Sequence, residues 1–204
     1  MLRAALVLLL ALAGPALATQ NRWPALFDVT GVAADDVLNI RTPPDAGAEK
    51  IGAFAPDATG IEVIAPNERQ DWGLVNVDGR TGWASLHYLA RQPGQWIGAP
   101  IETVRCAGTE PFWSLTRDGD AVTWSTPDIE TSGAVTTALD TISRRDISGV
   151  LYRLETGARD HLAMTLDRCS DGMSDHAYGI RAILTRDLDG APEMLGGCCS
   201  LDVD

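Results

Sequence analysis

Apolar residues recur along this chain in short runs divided by turn-forming residues, and nowhere with a sustained helical period. Leu26–Val32, Asp36–Arg41, Lys50–Phe54 and Gly60–Ala65 read as strands. In the second of these Val37, Asn39 and Arg41 alternate with Leu38 and Ile40, and the Pro43-Pro44 pair ends it, because proline cannot donate to a ladder. The stretch from Asp71 to Trp83 reads as a hairpin around Asp78-Gly79. A type I′ turn needs positive φ at both central residues, which Asp-Gly supplies. That turn places Val77 opposite Arg80 and Leu74 opposite Trp83, with apolar residues on both faces, as suits strands wrapped into a small barrel. Ser85–Leu89 reads as a short 3₁₀ turn and a last strand, and Gln92-Pro93-Gly94-Gln95 breaks the chain.

Beyond the break the pattern resumes. Trp113 and Leu115 share a face, Asp118-Gly119-Asp120 turns the chain, and Val122 and Trp124 alternate back. Residues 129–150 are rich in Thr, Ser and Asp and offer one short strand, Thr141–Ser143. Strands follow at Val150–Glu155, His161–Leu166 and Gly179–Thr185, then a turn at Asp187–Gly190 and a last segment, Glu193–Cys199. Short strands at this spacing predict an all-β protein: a small N-terminal β-barrel over residues 26–91, a linker over 92–103, and an antiparallel β domain over 104–204.

Composition narrows the function classes. The formal net charge of −12 over 204 residues repels nucleic acid and anionic membrane. Met1-Leu2-Arg3, the apolar run Ala4–Ala13 and Ala16-Leu17-Ala18 form the three parts of a signal peptide over residues 1–18, with Thr19 as the mature N-terminus. The run is well short of the ~20 residues that span a bilayer, and no later stretch is long enough, so no membrane span is expected in the mature chain. All four cysteines, Cys106, Cys169, Cys198 and Cys199, lie in the second half. In an exported protein an even number reads as disulfides. Bonding the neighbours Cys198 and Cys199 to each other would strain the ring, so that pairing ranks last. No C-x2-C pair suggests a zinc site, and no G-x-S-x-G, P-loop or G-x-G-x-x-G is present. No cofactor, metal or catalytic residue is expected.

The ordered set Leu38-Asn39-Ile40-Arg41-x-x-Pro44, Ile51-Gly52, Ile61-x-Val63, Trp72-x-x-Val75, Gly79-x-x-Gly82-Trp83 and Tyr88-Leu89 resembles a bacterial SH3 (SH3b) domain over residues 26–91. The resemblance implies a five- to six-stranded barrel that binds rather than catalyses, in a family whose exported members associate with peptidoglycan or other envelope partners. Related eukaryotic modules grip proline-rich peptides on aromatic residues. Trp72, Trp83 and Tyr88 are the candidate stacking surface, with Arg41 as a further ligand contact. The competing structural reading has Trp72 and Trp83 filling the small barrel, and for these two it is preferred. For Tyr88 the readings balance. Arg41 is read more readily as a structural salt bridge, and Asn39 as a turn cap.

In the second half, Gly108-Thr109-Glu110-Pro111-Phe112-Trp113, Cys169-Ser170-Asp171-Gly172-Met173-Ser174-Asp175 and Gly197-Cys198-Cys199 resemble a family of uncharacterised bacterial envelope proteins, which brings no known activity. Tyr178 is followed here by Gly179 where that pattern often has proline, and no lipobox is present. Cys169–Cys198 with Cys106–Cys199 is the first choice of pairing, and the swapped pairing is second. The expected function is an exported, non-enzymatic, periplasmic or secreted envelope protein that binds peptidoglycan or an envelope protein or peptide. A second reading is a periplasmic inhibitor acting through the 169–178 loop, which an apolar patch of Trp96, Phe112 and Met173 would favour. A third is a metal-binding or hydrolytic site at Glu110, Asp171, Asp175 and His176.

Overall fold

A computed structural model describes residues 20–141, 143–188 and 191–201. The signal peptide, Thr19, Ile142, and Asp189-Gly190 of the expected turn lie outside the described residues. The protein is all-β, with one 3₁₀ turn, Leu86–Tyr88, among the described residues. Its first eight strands are β1 (Ala25–Val29), β2 (Leu38–Arg41), β3 (Lys50–Phe54), β4 (Ile61–Val63), β5 (Ala65–Pro66), β6 (Trp72–Val77), β7 (Arg80–Ser85) and β8 (Leu89–Arg91). They form two sheets, ordered β4-β1-β8 and β3-β2-β7-β6-β5, around one shared core. The run Gly60–Ala65 is divided rather than continuous. At Ile64 the backbone N–H donates to the Leu74 carbonyl at 2.8 Å, so the chain leaves β1 and joins β6.

The β6–β7 hairpin has the expected register. Asp78 (φ 48°) and Gly79 (φ 76°) make the turn, Val77 faces Arg80, and Leu74 faces Trp83. Its inner face carries Val75, Val77 and Ala84, with Gly73 and Gly82 where the packing is closest. A Cβ on Gly73 would lie 2.4 Å from Val63, and one on Gly82 would lie 2.6 Å from Ile51 and 2.7 Å from Ile40. Alternation then turns the neighbouring Trp72 and Trp83 to the other face. Both indoles are half-buried and outside the core, contrary to the expectation that they fill it. Phe27 and small aliphatic residues fill it instead, with Trp23 stacked on Phe27 at 5.6 Å.

The second half contains β9 (Thr103–Thr109), β10 (Phe112–Asp118), β11 (Ala121–Ser125), β12 (Glu130–Asp140), β13 (Ile147–Leu154), β14 (Arg159–Cys169), β15 (Tyr178–Leu188) and β16 (Ala191–Ser200). Each pairs antiparallel with the next, and β16 closes on β9 to make an eight-stranded barrel. Its interior is packed with Leu115, Tyr152, Leu154, Leu162, Met164, Ile180 and Leu184, and with Trp113 stacked on Trp124 at 5.6 Å. The Thr/Ser/Asp-rich segment holds a strand over 130–140, ahead of the one expected at Thr141–Ser143, and neither Thr141 nor Ser143 lies in a strand. Threonine suits an extended backbone. β12 alternates half-buried and exposed positions for most of its length, so it needs few large apolar residues. Gly133 fits where a Cβ would meet the Arg153 carbonyl oxygen at 2.3 Å.

Two disulfides staple the closing seam. Cys106–Cys199 joins directly opposed residues of β9 and β16, and Cys169–Cys198 ties the end of β14 to β16. Successive side chains of a strand point to opposite faces, so the neighbours Cys198 and Cys199 send their bridges to opposite sides of β16. The two halves are in contact. Glu62, buried, accepts hydrogen bonds from Ser200 Oγ and from the Leu201 N–H at 3.1 Å. Leu26 packs against the barrel core, and a Cβ on Gly179 would lie 2.7 Å from Pro24. Among the described residues no helix is long and apolar enough to cross a membrane.

The two bridges span 93 and 29 residues of chain. If each acts by restricting the unfolded chain, removing Cys106–Cys199 by paired alanine substitution costs about 1 kcal/mol more than removing Cys169–Cys198. Urea unfolding followed by tryptophan fluorescence checks this. Equal or inverted costs would show that something other than loop entropy sets the stabilisation from these bridges.

Candidate functional site

The first unit carries a groove of about 480 Å³ lined by Arg41, Trp72, Tyr88, Asn39, Asp36 and Val37, among others. Trp72 opens β6, and Asn67 fixes its backbone: the Asn67 side-chain oxygen accepts from the N–H of Asp71 at 3.0 Å and of Trp72 at 3.1 Å. Tyr88 ends the 3₁₀ turn. Its carbonyl accepts from the Thr30 N–H at 2.9 Å, and its ring meets His87 edge-on at 4.8 Å. Tyr88 is 38 % exposed and borders the groove. Arg41, at the end of β2, donates to the Ala48 carbonyl at 2.6 Å and makes no ion pair among the described residues, so the structural salt bridge expected for it is absent. Asn39 pairs with Ala53 inside the β2–β3 ladder and is not a turn cap. Trp83 lies across the ladder from Arg41 but is not among the residues that line the groove. Three of the four expected contacts therefore meet in one place. The combination offers flat apolar surface, a hydroxyl, and a cation with Asp36 nearby.

The acidic loop is built differently from the expected metal or hydrolytic cluster. Asp171 accepts from the N–H groups of Met173 (3.0 Å) and Ser174 (2.9 Å), from Ser174 Oγ (2.7 Å) and from the Tyr178 hydroxyl (3.2 Å). Desolvation pushes the Asp171 carboxyl up, but these donors outweigh it and hold it down at about 2. The Asp175 carbonyl accepts from Thr81 Oγ1, and the His176 N–H donates to Ser174 Oγ at 3.2 Å. Glu110 and Asp171 border one depression, and His176 borders another. No group of three or more His, Cys, Asp or Glu residues is poised for a metal ion among the described residues.

The loop is held by the first unit. Asn76, near the tip of the hairpin, donates to the Ala177 carbonyl at 2.9 Å and accepts from the Ala177 N–H at 3.1 Å, and the neighbouring Thr81 gives its one hydroxyl proton to the Asp175 carbonyl of the same loop. Nothing local in the sequence points to this contact, which spans 101 residues; a lone amide in an otherwise apolar β6 is the only hint. The three exposed apolar residues of the second reading lie on separate elements: Trp96 in a bridge to Asn21, Phe112 at the start of β10, and Met173 in the loop. A buried row escaped sequence reasoning altogether. Tyr152, Asp160 and Arg186 are successive cross-strand partners on β13, β14 and β15. Burial pushes the Tyr152 hydroxyl well above its ordinary range, and the Asp160 charge adds to this.

No family model matches the chain, and no curated protein and no solved structure matches it either.

Asn76→Ala removes both bonds to Ala177, and the Ala177 amide is expected to exchange with solvent about tenfold faster, read by hydrogen exchange. Unchanged exchange would mean that the hairpin does not hold the loop. The Asp171 carboxyl is ordinarily near 4 and lies lower in the fold, so its contribution to loop order is complete above that value and is lost as pH falls towards about 2. A carboxyl NMR titration of Asp171 with a midpoint near 4 would contradict this.

Proposed function

We propose that the protein is an exported, non-enzymatic envelope protein whose first unit is an SH3b-like module that binds peptidoglycan. The observation that carries this reading is the groove that brings Trp72, Tyr88 and Arg41 together. Aromatic faces stack on the apolar faces of sugar rings, and a guanidinium pairs with carboxylates of a peptide side branch. The two sheets of the first unit and the order of its motifs support the SH3b reading. The disulfides are compatible with an extracellular or periplasmic location, and the N-terminal signal pattern makes the periplasm the compartment of choice. In this reading the β9–β16 barrel is the platform that carries the module, and the 169–178 loop joins the two rather than blocking a separate partner.

Sedimentation with purified, insoluble peptidoglycan at about 150 mM salt tests the reading, because nonspecific charge contacts are screened there. Wild-type protein is expected in the pellet. Tyr88→Ala and Arg41→Ala are each expected to lower the affinity about tenfold in protein that remains folded. Folded wild-type protein left wholly in the supernatant overturns the proposal. Retention unaffected by either substitution moves binding away from this groove. Capture by proline-rich peptides in place of peptidoglycan would keep the groove and replace its ligand.

A further inference from the structure

The end of β14 leaves its place in the barrel wall. β15 lies between β14 and β16, so residues on those two strands stand about 10 Å apart in a regular sheet. Cys169 of β14 is nonetheless bonded to Cys198 of β16, with their Cα atoms 5.6 Å apart. The register shift between Leu166 and Cys169 marks where the chain lifts off. Cys199 lies in the barrel core, so its neighbour Cys198 points outward. Residues 167–177 therefore form a strap over the outer wall of the closing seam. Arg181 of β15 donates to the Arg168 carbonyl at 3.1 Å, and Thr109 of β9 donates to the Asp171 carbonyl at 3.1 Å. The strap then reaches the first unit, where Thr81 holds the Asp175 carbonyl and Asn76 holds Ala177.

The two bridges differ in access. Cys106 and Cys199 are both 0 % exposed and lie in the barrel core. Cys169 is only half-buried, and it borders a surface depression of about 620 Å³ together with Cys198. Arg181, the cross-strand partner of Cys198, borders the same depression. A guanidinium beside a cysteine favours its thiolate, which makes Cys198 the better leaving group. The disulfide is the covalent pin of the strap. Its other anchors are hydrogen bonds and the exposed Arg181–Asp167 pair at 3.9 Å, each of which returns less free energy than ordering a residue costs. We propose that Cys169–Cys198 is a reducible latch: a dithiol reductant opens it while Cys106–Cys199 stays closed, and the freed strap lets go of the first unit at Asn76 and Thr81. One thiolate of the reductant attacks the Cys169 sulfur and Cys198 leaves as a thiolate. The second thiol then resolves the mixed disulfide and releases Cys169. The protein gains two electrons and two protons, and the reductant becomes a disulfide. The junction at Glu62 remains, so the first unit stays attached there and gains freedom to swing. The latch shares no residue with the aromatic groove, so either reading can stand if the other falls.

The test treats the native full chain with dithiothreitol, traps free thiols with iodoacetamide and maps the alkylated peptides by mass spectrometry. Cys169 and Cys198 are expected to be alkylated while Cys106 and Cys199 remain joined. Hydrogen exchange on the same sample is expected to show the Ala177 amide exchanging about tenfold faster, with the Leu201 amide at the Glu62 junction unchanged. Cys169→Ala combined with Cys198→Ala is expected to reproduce that pattern without reductant, and the reduced wild type decides the matter if this variant does not fold. The proposal is overturned if the two bridges open together, or if neither opens in folded protein. It is equally overturned if Cys169–Cys198 opens and Ala177 stays as protected as before. Loss of protection at Leu201 alongside Ala177 also overturns it, because that reports loosening of the whole molecule and not release of the strap.

Discussion

The closest approach in the first unit is at Gly73 and Gly82, where the inner face of the β6–β7 hairpin has no room for a β-carbon. That constraint decides the facing of everything beside it. With glycine inward, period-two alternation sends Trp72 and Trp83 outward, and Val75, Val77 and Ala84 close the core. Large side chains on the outer face of a thin two-sheet unit are left half-covered, and one of them becomes a wall of the groove that also holds Tyr88 and Arg41. The candidate site thus follows from a packing limit on the opposite face of the same strands.

The second unit rests on a different constraint. A barrel has no edge only if its last strand meets its first, and β16 meets β9 over three residue pairs. Both disulfides act on that short seam, one across it and one from β14. The same region carries the junction between the units, since Ser200 and Leu201 bind Glu62 of β4 directly after the bridged cysteines. The Asn76 grip on Ala177 adds a second point of attachment at the other end of the 169–178 loop. The stapled seam and the docking of the first unit are therefore parts of one structure.

How much of this is legible in the sequence depends on how local the signal is. Asp78-Gly79 encodes its own turn, and the Val77–Arg80 register follows by counting outward. The 3₁₀ turn at Leu86–Tyr88 and the barrel strands rich in large apolar residues are likewise legible. β12 is not, because Thr131, Ser132 and Thr136 look like a loop until neighbouring strands supply their ladder partners. The split at Ile64 is hidden for the same reason: apolar residues on both sides of it belong to different sheets. Trp72 faces outward against expectation because large aromatics normally bury, and the space beside Gly73 overrides that tendency. At the candidate site Arg41, Trp72 and Tyr88 can be named from their motifs, whereas the Asp160 row and the Asn76 grip arise from contacts that no local pattern announces.

The proposed role stands on the outward-facing aromatic groove being a surface for a sugar-and-peptide polymer. Its most direct test is an NMR shift map of the full chain with a soluble, lysozyme-solubilised peptidoglycan fragment. The largest shifts are expected at the Trp72 indole N–H, at the Tyr88 and Arg41 amides, and along Asp36–Val37, with Trp83 and the barrel core little changed. Saturable shifts clustered elsewhere, or none at all with the protein folded, would contradict it.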